Sequence, residues 1–224
     1  MDEVLRLERI AKDTHNGQIE QYRLRRTQMH SLKLQEEMLG ISVRKRIDQI
    51  KSIYPKGTII AADLGCFVST IVGDLNKLEG VAAFGIDLSP KLDTTQDLSL
   101  NRLMVANLED MPQIPNNSFH YLMSFNVLSY TDPNKSLPEI YRILKPCGIA
   151  DLDIEFWEKN FKEKITNLEL SRAGHLKVRH GENTLPIKDY LAHKEELNKN
   201  PKNRLSLLLL ETMTYFVMTK PKPD

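Results

Sequence analysis

Two aspartates stand at the ends of apolar runs, where side chains of their type can hold a polar ligand. Asp63 follows Thr58-Ile59-Ile60-Ala61-Ala62 and opens the stretch Asp63-Leu64-Gly65-Cys66-Phe67-Val68-Ser69-Thr70. Asp87 follows Val81-Ala82-Ala83-Phe84-Gly85-Ile86, 24 residues after Asp63. An acid about 20 residues beyond a glycine-bearing strand end agrees with the general nucleotide-binding pattern. A carboxylate accepts hydrogen bonds from two vicinal hydroxyls better than a neutral side chain does, and Gly65 lets backbone approach a ligand with no Cβ in the way. Asn107 and Asn126 follow two further apolar runs, and each carries an amide that can donate and accept. His175 and His180 could serve as bases near neutral pH. Nothing in the neighbouring sequence is arranged to orient them, so they read as surface residues. Cys66 reads as a residue without chemical duty. No catalytic residue is assigned, and no cluster has the spacing of metal ligands.

These side chains need elements to position them. The runs ending at Asp63 and Asp87 read as buried strands, as do Leu103–Ala106, Tyr121–Phe125 and Ile149–Ile154. Leu137–Leu144 reads as a helix stopped by Lys145-Pro146-Cys147-Gly148. Thr212–Thr219 reads as a terminal strand. Strands alternating with helices imply a parallel sheet covered on both faces, with ligands at the carboxyl ends of the strands. Before them, Leu32, Leu39, Val43, Ile47, Ile50 and Tyr54 recur at helical period, which predicts one amphipathic helix up to Pro55. Its neighbouring clusters Arg23-Leu24-Arg25-Arg26 and Arg44-Lys45-Arg46 read as a solvated face. Four segments follow: an N-terminal helical extension (1–55), a ligand-binding core (56–155), a variable region (156–210) and a terminal strand with its tail (211–224). Phe156 and Trp157 read as core.

The totals are those of an ordinary globular chain. Its 224 residues carry 31 Lys and Arg against 30 Asp and Glu, so net charge gives no reason to expect nucleic acid or an anionic membrane. Two cysteines far apart argue against a disulfide scaffold and for a reducing compartment. The N-terminus lacks a secretory h-region, and the longest apolar run, Leu207–Leu210, is too short to span a bilayer. The expected location is the cytoplasm.

Taken in order, the strand-end segments resemble the class I S-adenosylmethionine-dependent methyltransferases of the small-molecule, type 11-like kind. Asp63-x-Gly65 is similar to the start of that family's first motif, Asp-x-Gly-x-Gly-x-Gly. Asp87 stands where the family's acid binds the cofactor ribose. Asn107-Leu108-Glu109-Asp110-Met111-Pro112 looks like its adenine-binding segment, and Asn126-Val127-Leu128 its segment after the fourth strand. Leu137 to Pro146 resembles the following helix, and Tyr215 to Pro221 the closing antiparallel strand. The resemblance implies a Rossmann-like, seven-stranded, mostly parallel sheet with helices on both faces. It also implies S-adenosylmethionine as cofactor, leaving as S-adenosylhomocysteine, and cofactor-binding roles for Asp63, Gly65, Phe67, Asp87, Leu88, Asn107, Leu108 and Asn126. The pattern departs at Phe67 and Ser69, which replace the second and third glycines. Cys147 replaces a usual glycine and His120 a common Asp.

Two functions of different class follow. One is methyl transfer to an unidentified acceptor, a small molecule being favoured, with the N-terminal helix and residues 155–205 forming the acceptor pocket. The other is a catalytically inactive protein of the same fold acting as a binding or scaffolding partner, with the degenerate glycine motif as its support. The N-terminal amphipathic helix is also a candidate homodimer contact. A nicotinamide-dependent oxidoreductase fails on the missing phosphate-cradling glycines.

Overall fold

A computed structural model describes residues 2–15, 21–22, 31–95, 97–152, 169–180, 183–199 and 214–222. The expected strands at the heart of the chain are present. They are β2 (Ile59–Leu64), β3 (Val81–Asp87), β5 (Leu103–Val105), β6 (Phe119–Ser124) and β7 (Leu144–Leu152). With β8 (Leu176–His180), β9 (Asn183–Pro186) and β10 (Thr214–Thr219) they form one eight-stranded sheet in the order β5-β3-β2-β6-β7-β10-β8-β9. The five strands from β5 to β7 are parallel, and β10 runs antiparallel to both β7 and β8. The sheet exceeds the expected seven strands because the variable region supplies the hairpin β8–β9. A separate two-residue ladder joins β1 (Gln21–Tyr22) to β4 (Leu92–Asp93).

Alternation along each strand feeds two cores. Ile60, Ala62 and Leu64 of β2 face helices α1 (Glu3–His15) and α5 (Pro133–Ile143), packing with Leu7, Leu137 and Ile140. Ile59 and Ala61 face α3 (Val43–Ile53) and α4 (Thr70–Asn76), packing with Ile47, Ile50 and Val72. Helices therefore cover both faces, and α1 also seals the edge strand β5. There Val105 N–H donates to Thr14 Oγ1 at 3.0 Å and Arg102 pairs with Glu8 at 2.7 Å.

Several expectations are corrected. The single helix read over Leu32–Tyr54 is two, α2 (Leu32–Leu39) and α3. Gly40 terminates the first in the left-handed region (φ 61°), and Ser42 caps the second through Lys45 N–H. Arg46 does not lie on a solvated face. Its guanidinium enters the second core and grips Asp151 of β7 through Nε (3.1 Å) and Nη2 (3.2 Å), while Tyr121 Oη donates to the same carboxylate at 3.1 Å. The Lys145-Pro146-Cys147-Gly148 stretch does end α5, but it belongs to β7, which begins directly at Leu144. Cys147 there takes φ 57° and donates its N–H to Lys220 O at 2.7 Å. Residues 23–26, 153–168, which include Phe156 and Trp157, and 200–213 lie outside the described residues.

Candidate functional site

The chain runs outward through β2, β3 and β5, then returns to the other side of β2 for β6 and β7. The order of strands thus reverses between β2 and β6, and the crevice at their carboxyl ends is the place an open α/β sheet offers a ligand. Asp63 lies at the end of β2 with Gly65 and Phe67 beyond it, Asp87 ends β3 with Leu88 beyond it, Asn107 and Leu108 come after β5, and Asn126 comes after β6. The fold brings all eight expected site residues to this edge.

Asp63 is buried in step with Ile59 and Ala61. Burial, reinforced by the Asp87 carboxylate, pushes its pKa up to about 8. Asp87 lies partly exposed beside it. One Asp87 oxygen accepts Ser89 N–H at 2.8 Å and the other accepts Phe67 N–H at 2.9 Å. The acid after β3 therefore pins the loop after β2. Each oxygen keeps a second lone pair for a hydroxyl.

Gly65 takes φ 74° and donates its N–H to Ile86 O at 2.6 Å. A Cβ at this position would fall inside the side chain of Val127, so the bare backbone admits Val127 from the loop after β6. Phe67 takes φ 39°, and its ring is half exposed beneath the Lys91 ammonium, 5.5 Å from the ring centre. The ring therefore leans out from the loop and does not fill its interior. Ser69 is fully buried, and its hydroxyl accepts Asp93 N–H at 3.0 Å.

At the rim, Leu88 is 70% exposed whereas Leu108 is buried in the first core. Asn107 accepts Glu109 N–H through its amide oxygen at 3.0 Å, which leaves the amide NH2 as the outward-facing function. Asn126 is exposed at φ 57°.

His175 sits at the opposite edge, its ring stacked on Tyr141 at 5.4 Å. That edge also holds a cavity of about 530 Å³ lined by Pro138, Tyr141, Glu169, Leu170, Ala173 and His175, remote from the aspartates. His120 is buried and structural. Its Nδ1 accepts Ile60 N–H at 3.0 Å, and burial together with the nearby Lys145 pulls its pKa down to about 4. Among the described residues no group of three or more His, Cys, Asp or Glu could hold a metal. The sequence reading missed Asp93, whose only local sign is a carboxylate between Leu92 and Thr94.

Known proteins match part of this chain. Residues 62–150, from the end of β2 into β7, match the family model described as a methyltransferase domain. A ubiquinone/menaquinone biosynthesis C-methyltransferase of Rickettsia prowazekii is 34% identical over 90 residues, which are 39% of this chain and 34% of that protein. The namesake of Rickettsia bellii is 36% identical over 91 residues, again 39% and 34% of the two chains. The match thus spans about a third of the length of these relatives. Among solved structures, geranyl diphosphate C-methyltransferase from Streptomyces coelicolor is 14% identical with a TM-score of 0.45, covering 83% of this chain and 75% of that one. Over residues 62–150, then, the chain is similar to methyltransferase domains.

Proposed function

We propose that the protein binds S-adenosylmethionine across the carboxyl ends of β2, β3 and β5 and passes a methyl group to a small-molecule acceptor. The observation that carries this reading is the buried Asp63 carboxyl beside the Asp87 carboxylate, at the switch point of the sheet and within the stretch that matches a methyltransferase domain. A buried carboxyl beside a second one fits a cationic ligand group, and the ammonium of the cofactor's amino-acid end is such a group. Asp87 would take the ribose hydroxyls with its remaining lone pairs. Exposed Leu88 would pack on the base and the Asn107 amide would bond its edge. Phe67 and Asn126 would contribute backbone at the rim, and Leu108 would support the base from beneath. When bound, the sulfonium supplies the reactive methyl, so the chain's own task is binding and orientation.

The N-terminal extension and the variable region would shape the acceptor pocket. That division assigns 1–55 and 156–210 to the acceptor and 56–155 with 211–224 to the cofactor and its sheet. The relatives' acceptor chemistry is not carried over, because the match stops short of these segments. Val43, Ile47 and Ile50 of α3 are buried in this chain's own core, so the stripe that suggested a homodimer contact is already covered. Both cysteines are free, which suits a reducing cytoplasm, and no described helix is long and apolar enough to cross a membrane.

The second reading, a silent binding protein, draws on one observation: Val127 occupies the space over Gly65. Hydrogen–deuterium exchange with saturating S-adenosylhomocysteine separates the two. Protection of residues 63–69, 86–90 and 105–109 is expected. Unchanged exchange at all three would leave the scaffold reading.

A further inference from the structure

The loop that departs from the glycine motif is held from outside by one buried aspartate. Asp93 of β4 is 1% exposed and lies 24 residues beyond Ser69, which is 0% exposed. Its N–H donates to Ser69 Oγ at 3.0 Å, and its Oδ2 accepts Thr70 Oγ1 at 2.8 Å. Its Oδ1 accepts both the N–H (2.9 Å) and the hydroxyl (2.6 Å) of Thr95. The backbone beside it repeats the tie. Lys91 N–H donates to Phe67 O at 2.6 Å, Ser69 N–H donates to Lys91 O at 3.0 Å, and Val68 and Lys91 form an isolated parallel bridge. A buried carboxylate is costly unless its oxygens are matched by donors, and here the matching donors lie at the start of α4 and in the turn after β4.

We propose that Asp93 is a positioning residue for the cofactor loop. Through Ser69 and Thr70 it fixes the 65–69 backbone against the amino-acid end of the cofactor, where glycines would otherwise leave the loop to adapt. Ser69 is then not a degraded glycine but the acceptor that lets β4 clamp the loop. Phe67, whose N–H donates to Asp87 Oδ2 and whose carbonyl accepts Lys91 N–H, completes the clamp. Because β1 pairs with β4 through Tyr22↔Asp93, the N-terminal extension joins the same clamp. This inference rests on the cofactor reading above.

The test is titration of Ser69→Ala, Thr70→Val and Asp93→Ala with S-adenosylhomocysteine and with 5′-methylthioadenosine, which keeps the nucleoside but lacks the amino-acid end. Thermal unfolding is followed in parallel. Each lost hydrogen bond is expected to weaken S-adenosylhomocysteine about tenfold. Methylthioadenosine should stay within about twofold of wild type, since its contacts lie at β3 and β5. If Asp93→Ala fails to fold, the two single-bond variants carry the comparison. Folded variants that bind S-adenosylhomocysteine as wild type does, or that lose both ligands equally, would overturn the positioning role. A wild-type chain that binds neither ligand would instead remove the cofactor reading itself.

Discussion

Val127 lies over Gly65 so closely that no side chain larger than hydrogen fits beneath it. Gly65 is in the left-handed region, and Val127 follows Asn126, itself at φ 57°. The loop after β6 thereby fills the ground over the first motif. On the proposed function, cofactor binding must move Val127 aside, and the contact opposes binding. Val127→Ala should therefore tighten S-adenosylhomocysteine binding while costing about 1 kcal/mol of stability, since Val127 is only half-buried. Gly65→Ala should both clash with Val127 and pay roughly 1–3 kcal/mol of backbone strain. Calorimetric titration and chemical unfolding of the two variants check this. Unchanged affinity in Val127→Ala would show that the loop already stands clear.

Asp63 gives a prediction with a definite sign. Its folded pKa, about 8, lies above the ordinary carboxylate value, so the folded state retains a proton the unfolded chain gives up. The penalty is absent below about pH 4, grows as pH rises, and is complete above about pH 8. Asp63→Asn should raise the melting temperature at pH 8 by about 2–4 °C or more and leave it unchanged near pH 4. The same variant should lose S-adenosylhomocysteine affinity. Thermal scans at both pH values decide the first part, and an equal gain at each would refute the titration argument.

Cofactor binding by the wild type should release a proton. A cation at Asp63 favours the ionised carboxylate, so near pH 7 the arriving ligand displaces the proton that burial retains. Titrations in buffers of different ionisation enthalpy measure the number released. A binding enthalpy independent of buffer would mean that Asp63 does not meet the ligand's charge.

His120 works in the opposite sense. Its folded pKa of about 4 lies below the unfolded value, so the unfolded chain binds the extra proton. Stability should be intact above about pH 6.5 and fall as pH drops towards 4, by on the order of 3 kcal/mol in all. His120→Gln can still accept Ile60 N–H with its amide oxygen and should flatten that part of the acid limb. Denaturant unfolding across pH 4–7 checks the slope.

The strand ends at Asp63 and Asp87 were legible because a buried parallel strand is a short apolar run and a polar residue marks its exit. The relation of Asp63, Gly65 and Asp87 was legible because both turns lie at one edge of a parallel sheet. What was not legible involves partners distant in sequence. Arg46 reads as surface charge until Asp151, 105 residues away, supplies the carboxylate that draws it inside. Burial pushes the Asp151 carboxyl up, while Arg46 and the Tyr121 hydroxyl pull it back. Ser69 reads as a lost glycine until Asp93 is placed against it. Leu32 and Val43 share one apolar stripe, and periodicity alone does not show that Gly40 breaks it. Residues 145–148 looked like a helix stop because Pro and Gly end helices, yet with a positive φ at Cys147 the same residues run on in a strand.

The most direct measurement is calorimetric titration of the wild-type chain and Asp87→Ala with S-adenosylhomocysteine. The proposed function requires micromolar-range binding by wild type. It requires a loss of about a hundredfold or more in the variant, whose carboxylate would otherwise hold two ribose hydroxyls. No binding by folded wild-type protein, or equal binding by the two chains, would contradict it.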